Sequence, residues 1–220
     1  MRTFLFFLLL LGFLSCKKEP TIKEPTTSFS DALLPLAVGN QWRYQVTTID
    51  STASPGSIHT VDTVVVECSQ TIVRNGVTYY MLTSSQGYRW GRFMLEDLVW
   101  VDGTCHAYNP HYNVTYSPPG SPYLKYPTSV GESWYWNEPY RSYNYEVMAV
   151  DTSVTVLGGV FTEAVLMKLA YSGGSGSYNE RIEVFMHYQP EVGLVKQVYT
   201  EKHIPVLVEI VMELIDYTVQ

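Results

Sequence analysis

Three cysteines in 220 residues are too few for the disulfide lattice that holds small secreted domains together. Long apolar runs are also missing. The longest, Phe4 to Phe13, is broken by Gly12 and falls short of the roughly 20 residues that a membrane-spanning helix needs. Positive charge is scarce, with 14 Lys+Arg against 21 Asp+Glu and a net charge of −7. That balance argues against nucleic acid or an anionic lipid surface as the main partner. Catalytic signatures are absent too: the chain holds no Gly-x-Ser-x-Gly, no His-Glu-x-x-His and no phosphate-binding glycine loop. No recognisable arrangement surrounds any of the five histidines. The expectation is therefore a non-enzyme, with no catalytic residue, no cofactor and no resident metal.

What is present begins at the N-terminus. Arg2 supplies a positive start, an apolar core follows, and Ser15 precedes Cys16, which together make an export signal over residues 1–15. Phe13-Leu14-Ser15-Cys16 resembles the lipobox of bacterial lipoprotein precursors, in which a small residue precedes an obligatory cysteine. The resemblance implies cleavage before Cys16, diacylglycerol on its thiol and an acylated amine, with phenylalanine standing where leucine is usual. Such acyl chains, at about 0.8 kcal/mol per buried CH₂, make a firm membrane anchor. Lys17 follows Cys16, where inner-membrane lipoproteins often carry aspartate. The resemblance thus implies the outer membrane of a Gram-negative bacterium, on its periplasmic side or at the cell surface. Residues 16–31 are rich in Lys, Glu, Pro, Thr and Ser and read as a disordered tether.

The rest of the chain reads as β structure. Valine, threonine and tyrosine dominate runs separated by turn chemistry, notably Asn75-Gly76, Gly158-Gly159 and Gly173-Gly174-Ser175-Gly176. The last segment, Val206 to Val219, reads as a strand because β-branched residues crowd it. The chain also repeats itself. Pro35-x-x-Val38-Gly39-x-x-Trp42-x-Tyr44 recurs as Pro127-x-x-Val130-Gly131-x-x-Trp134-x-Trp136. Further matches follow in order: Val61-Asp62-Thr63 with Val150-Asp151-Thr152, Asn75-Gly76-Val77 with Gly158-Gly159-Val160, and Phe93-Met94 with Phe185-Met186. The expectation is a mainly β fold of two related antiparallel units, 32–122 and 123–220, forming one curved sheet or a partly open barrel. Trp42 and Trp134 are the expected core anchors, one per unit.

Leu34-Pro35-Leu36-x-Val38-Gly39-Asn40-x-Trp42-x-Tyr44 resembles the start of the folded part in uncharacterised bacterial lipoproteins, which often carry a later strand like Val192-Gly193-Leu194-Val195-Lys196. The resemblance implies an envelope location and a β fold; it transfers no catalytic residue.

Three side-chain groupings carry chemistry. Cys68 and Cys105 form a candidate disulfide in an oxidising compartment, with buried free thiols as the alternative. Cys105, His106 and His111 could ligate zinc, but neighbouring side chains on an extended segment point apart, which favours a solvated loop. Nine tyrosines lie between Tyr108 and Tyr145, interleaved with prolines, and suit either a recognition surface or the half-buried faces of strands. The function expected first is a membrane-anchored, non-enzymatic binding or assembly role, with an envelope protein, glycan or lipid as partner. A carrier cupping a hydrophobic ligand is the alternative, and a cell-envelope hydrolase stands third.

Overall fold

The computed structural model describes residues 33–50, 58–74, 76–85, 97–101, 104–108, 121–138, 141–173, 180–203 and 206–220. Twelve strands form a single antiparallel sheet. The first six are β1 Gln41–Asp50, β2 Ile58–Arg74, β3 Val77–Ser84, β4 Asp97–Val101, β5 Thr104–Tyr108 and β6 Ser121–Lys125. The second six are β7 Ser133–Glu138, β8 Arg141–Val156, β9 Gly159–Gly173, β10 Glu180–Gln189, β11 Gly193–His203 and β12 Val206–Thr218. Each strand pairs with its sequence neighbour, and β1 pairs with β12, so the order runs from β6 through β1 and β12 to β7. Among the described residues no ladder joins β6 to β7, which leaves a curved sheet rather than a closed barrel. The Val206–Val219 segment is a strand, as its β-branched composition requires.

The alternation of apolar and polar residues fixes which side faces inward. Trp42, Tyr44 and Val46 of β1 are buried, as are Val64, Val66 and Cys68 of β2 and Ile182, Val184, Met186 and Tyr188 of β10. Register then stacks these side chains in rows. One row runs Met167, Met186, Gln197, Met212, Val46. The next runs Leu169, Val184, Tyr199, Ile210, Thr48, and a third runs Tyr171, Ile182, Glu201, Val208, Asp50. Opposite walls also touch across the concave side, where Tyr123 Oη of β6 lies 3.0 Å from Tyr188 Oη of β10.

The repeat in the sequence is a repeat in the structure at its opening turns. Gly39 and Gly131 both take positive φ, 96° and 83°. Asn40 N–H donates to Ala37 O, as Glu132 N–H does to Ser129 O. Gly39 N–H reaches Cys68 O on β2, and Gly131 N–H reaches Val147 O on β8. Trp42 then sits opposite Val66, and Trp134 opposite Tyr145. Each ladder shifts register just beyond, after Cys68 in one unit and after Val147 in the other. Downstream matches fare differently. With Cys68 equivalent to Val147, Val61-Asp62-Thr63 and Val150-Asp151-Thr152 fall on opposite sides of that bulge and do not correspond. The pair that closes the first hairpin, Arg74 with Val77, corresponds to Val156 with Gly159, so Gly76 is equivalent to Gly158 and not to Gly159. Phe93-Met94 and the tip 174–177 lie outside the described residues. The break between units is the turn 126–132, since residue 122 lies within β6.

Trp42 and Trp134 are both buried, with 1% and 7% of their surface exposed. Their surroundings differ. Trp42 Nε1–H donates to Val192 O, and two residues on Tyr44 Oη–H donates to Leu194 O at 2.9 Å. Trp134 instead stacks on Tyr145, with centroids 5.5 Å apart and planes at 7°. Its Nε1 has no hydrogen-bond partner among the described residues. Truncating either indole to alanine should cost about 3–5 kcal/mol. The phenylalanine variants should separate the two: Trp42→Phe strands the Val192 carbonyl and should lose about 1–3 kcal/mol more than Trp134→Phe. Urea unfolding midpoints of the two variants provide the comparison, and equal shifts would refute the role given to the Val192 bond.

Candidate functional site

Burial falls from one end of the sheet to the other. Odd-numbered strands all start at one end, where Leu33, Leu34, Leu36, Trp42 and Tyr44 are packed to 6% exposure or less. Asn40 is fully buried there: its Nδ2 donates to Pro35 O at 2.9 Å, and its Oδ1 accepts from Gln220 N–H at 3.0 Å. This end is sealed by side chains. Towards the opposite end the inward positions of β1, β2, β11 and β12 become half-buried while Val184 and Ile182 of β10 stay buried, and Thr48, Asp50, Asp62, Tyr171, Tyr199 and Glu201 line a one-sided cup.

The cup's best-defined constellation is on β9 and β11. Tyr199 Oη–H donates to Glu201 Oε2 at 2.8 Å. Burial pushes the Tyr199 phenol well above its usual pKa, and the Glu201 carboxylate and the Tyr171 phenol push it further. It is therefore a fixed neutral donor at any physiological pH. Tyr143 packs on Tyr171 with ring centroids 5.4 Å apart. One row further in, Gln197 is 4% exposed and its Oε1 is buried without a hydrogen-bond partner among the described residues, as is Thr48 Oγ1 in the neighbouring row. Buried polar atoms left unpaired are costly, and bound water or a ligand group ordinarily satisfies them. The cup thus offers one amide acceptor unpartnered among the described residues, Gln197 Oε1, and one hydroxyl able to donate or accept, Thr48 Oγ1, beside inward carboxylates and the flat apolar faces of phenol rings.

A second aromatic cluster lies at the β6–β7 turn. Tyr123 meets Tyr145 edge-on at 6.2 Å, and Lys125 Nζ stands 5.3 Å from the Trp134 ring centroid. Lys125 and Thr128 both donate to Glu132, at 3.4 and 3.0 Å. Burial alone would raise the Glu132 pKa, but those two bonds, the Lys125 charge and a backbone bond from Ser129 together outweigh it and hold it low. The tyrosine-rich stretch therefore divides: Tyr123, Tyr143 and Tyr145 are buried, while Tyr135 stands on the outer wall, 74% exposed.

The candidate disulfide is not formed; Cys68 and Cys105 are both buried, unbridged thiols. Their strands, β2 and β5, are three places apart in the sheet, roughly 14 Å along it at about 4.8 Å per strand. Of the Cys105–His111 cluster only the Cys105 side chain is described, and His111 lies outside the described residues. His187 is the one histidine whose side chain is described. It faces outward beside Lys196, and burial and that ammonium lower its pKa.

Glu201, Tyr199, Tyr171, Gln197 and Thr48 match no motif, and sequence reasoning passed over them. Their one signal is parity: Gln197, Tyr199 and Glu201 alternate along β11, on the inward face.

Two solved structures are similar to this chain. One is a Bacteroides fragilis chain provisionally described as an exported protein with a YmcC-like fold, at 11% identity and a TM-score of 0.47. The other is a Parabacteroides distasonis chain provisionally described as a lipoprotein, at 11% identity and a TM-score of 0.44. Each match covers 86% of this chain and 99% of the other. No family model and no curated protein matches.

The thiols yield a direct test. Burial, with a smaller contribution from Glu67, raises the Cys68 pKa to about 11, so at pH 8 only about one thiol in a thousand is ionised. Native protein should leave both Cys68 and Cys105 unmodified by an aromatic disulfide reagent at pH 8, and denaturant should release both at once. Stoichiometric reaction in the native state would show that one of them is reachable.

Proposed function

We propose that this chain is an exported lipoprotein, acylated at Cys16 and held on the outer membrane, that binds a donor-rich ligand in its cup without acting on it chemically. The observation that carries the binding reading is the cup itself. Tyr199, Tyr171 and Glu201 lie half-buried above Gln197, with Thr48 in the row of Tyr199, and the buried oxygens of Gln197 and Thr48 have no hydrogen-bond partner among the described residues. The Gln197 amide oxygen and the inward carboxylates call for a ligand that carries donors, and the phenol faces suit the C–H face of a sugar ring. Carboxylates at Asp50, Asp62 and Glu201 add a preference for a cationic group. An amino-sugar glycan meets all three demands. The hydrophobic-carrier reading has less support, since the inward rows near the sealed end are occupied by Trp42, Tyr44, Met167, Met186 and Met212.

Two experiments test the two parts. Cys16→Ser should move the protein from the membrane fraction to the soluble extract of cells in which the leader is cleaved, and retention on the membrane would refute acyl anchoring.

For the cup, calorimetric titration of the detergent-solubilised full chain with a glucosamine tetramer should show saturable binding. Glu201→Gln should weaken it about tenfold, the share of one charge-assisted hydrogen bond of about 1.5 kcal/mol. The N-acetylated tetramer, which lacks the ammonium groups, should bind more weakly. Absence of heat with either glycan would overturn the ligand class, and release of monomers would replace binding with the envelope-hydrolase reading.

A further inference from the structure

Nine large apolar residues are strongly exposed among those described: Val38, Val61, Val73, Val130, Tyr135, Met148, Leu157, Val160 and Tyr217. Isolated exposed apolar residues are ordinary; their distribution here is not. Seven of them lie at the sealed end or on the hairpins that extend from it, and only Val61 and Tyr135 stand on the wall. Val38 and Val130 are the equivalent residues of the two opening turns. Val73 is at the β2–β3 tip, and Leu157 and Val160 are at the β8–β9 tip. That second tip folds onto β12, where Gly158 N–H donates to Leu214 O at 2.7 Å and Phe161 meets Tyr217 at 6.5 Å. The projecting groups thus belong to a braced end of the sheet.

The chain enters the described fold at this same end. Leu33, Leu34 and Leu36 are buried there, and a Cβ on Gly193 would lie 3.1 Å from Leu34 Cδ1. Sixteen residues separate Cys16 from Leu33, a length whose reach is roughly 20 Å for any flexible chain. β1, ten residues long, puts the cup roughly 30 Å away at about 3.4 Å per residue. An N-terminal anchor would therefore bring the sealed end to the bilayer first. Asp151, Glu163 and Glu191 are exposed around the apolar groups, so the surface suits ammonium-bearing headgroups and repels anionic ones.

We infer that the sealed end is a membrane-docking face that rests on a zwitterionic, ethanolamine-rich bilayer through Val38, Val73, Val130, Leu157 and Val160, and so holds the cup open away from the lipid. This rests on the anchoring reading in that the lipid at Cys16 supplies the tether.

The test uses the full chain reconstituted into phosphatidylethanolamine/phosphatidylcholine vesicles. A fluorophore is placed singly at Val73→Cys, Leu157→Cys or Ser142→Cys; Ser142 is an exposed residue at the cup end, and native Cys68 and Cys105 are buried. Brominated lipid should quench the probes at residues 73 and 157 at least twofold more than the probe at 142. Adding anionic lipid should reduce that difference. Equal quenching at all three positions, or deeper quenching at 142, overturns the docking face. The mass of the N-terminal peptide reports separately whether Cys16 is acylated. If it is not, the apolar leader still tethers the chain by the same end, so the quenching ratio continues to judge the face.

Discussion

The bond pair that ties β1 to the start of β11 holds the architecture together. β1 reaches β11 only through β12 in the sheet, yet Trp42 and Tyr44 pass over that strand to donate to Val192 O and Leu194 O. Both carbonyls are buried and need donors. The geometry leaves no slack, because a Cβ on Gly193 would lie 3.2 Å from Trp42 Nε1. The relative placement of β1, β12 and the start of β11 is thereby fixed. Asn40 adds the second half of the seal by joining the incoming chain at Pro35 to the outgoing chain at Gln220.

That clamp explains a pattern which the sequence displays as two unrelated stretches. The Gly39-Asn40-x-Trp42-x-Tyr44 opening and the Val192-Gly193-Leu194 segment lie about 150 residues apart, and nothing in either announces the other. In the fold they form one contact: a tryptophan, a tyrosine and the backbone that receives their protons. Patterns were legible where a backbone requirement dictates residue type, as at Gly39 and Gly131. They became illegible where bulges intervene. An added residue in one strand reverses parity and displaces every later match, which is why Val61-Asp62-Thr63 and Val150-Asp151-Thr152 look alike and are not equivalent.

The cup was hidden for a different reason. Alternation tells which side chains face inward, but not how far along the sheet the interior stops being filled. Glu201 and Ile182 are paired and both face inward, yet one is half-buried and the other 1% exposed. Only the assembled rows show that polar residues gather on the β11–β12–β1–β2 side of the open end. The cysteine pairing failed likewise: both thiols face inward, as Val64 and Val66 suggested for Cys68, but strand order keeps them apart.

The two halves of the sheet share an opening turn but use it differently, so that one seals and the other braces. In the first unit the tryptophan is spent on the clamp, and its β2–β3 hairpin has an eight-residue return strand. In the second unit the equivalent tryptophan stacks on Tyr145 beside Lys125, and its hairpin is extended by a fifteen-residue β9. Register shifts at Val147/Ala149, Ala149/Thr152 and Thr152/Val154 bend the longer hairpin. It thereby reaches the part of β12 beyond Glu213, where β11 no longer pairs with that strand. Gly158 makes the landing possible, because any Cβ there would sit 2.6 Å from Ile215 O. The landing gives Leu214 O a donor and sets Phe161 against Tyr217 near the end of β12. A duplicated unit with identical hairpins would have left that edge of β12 open at the very end where the chain begins. The extra length of one copy closes it, and in doing so sets the difference between a sealed end and an open one.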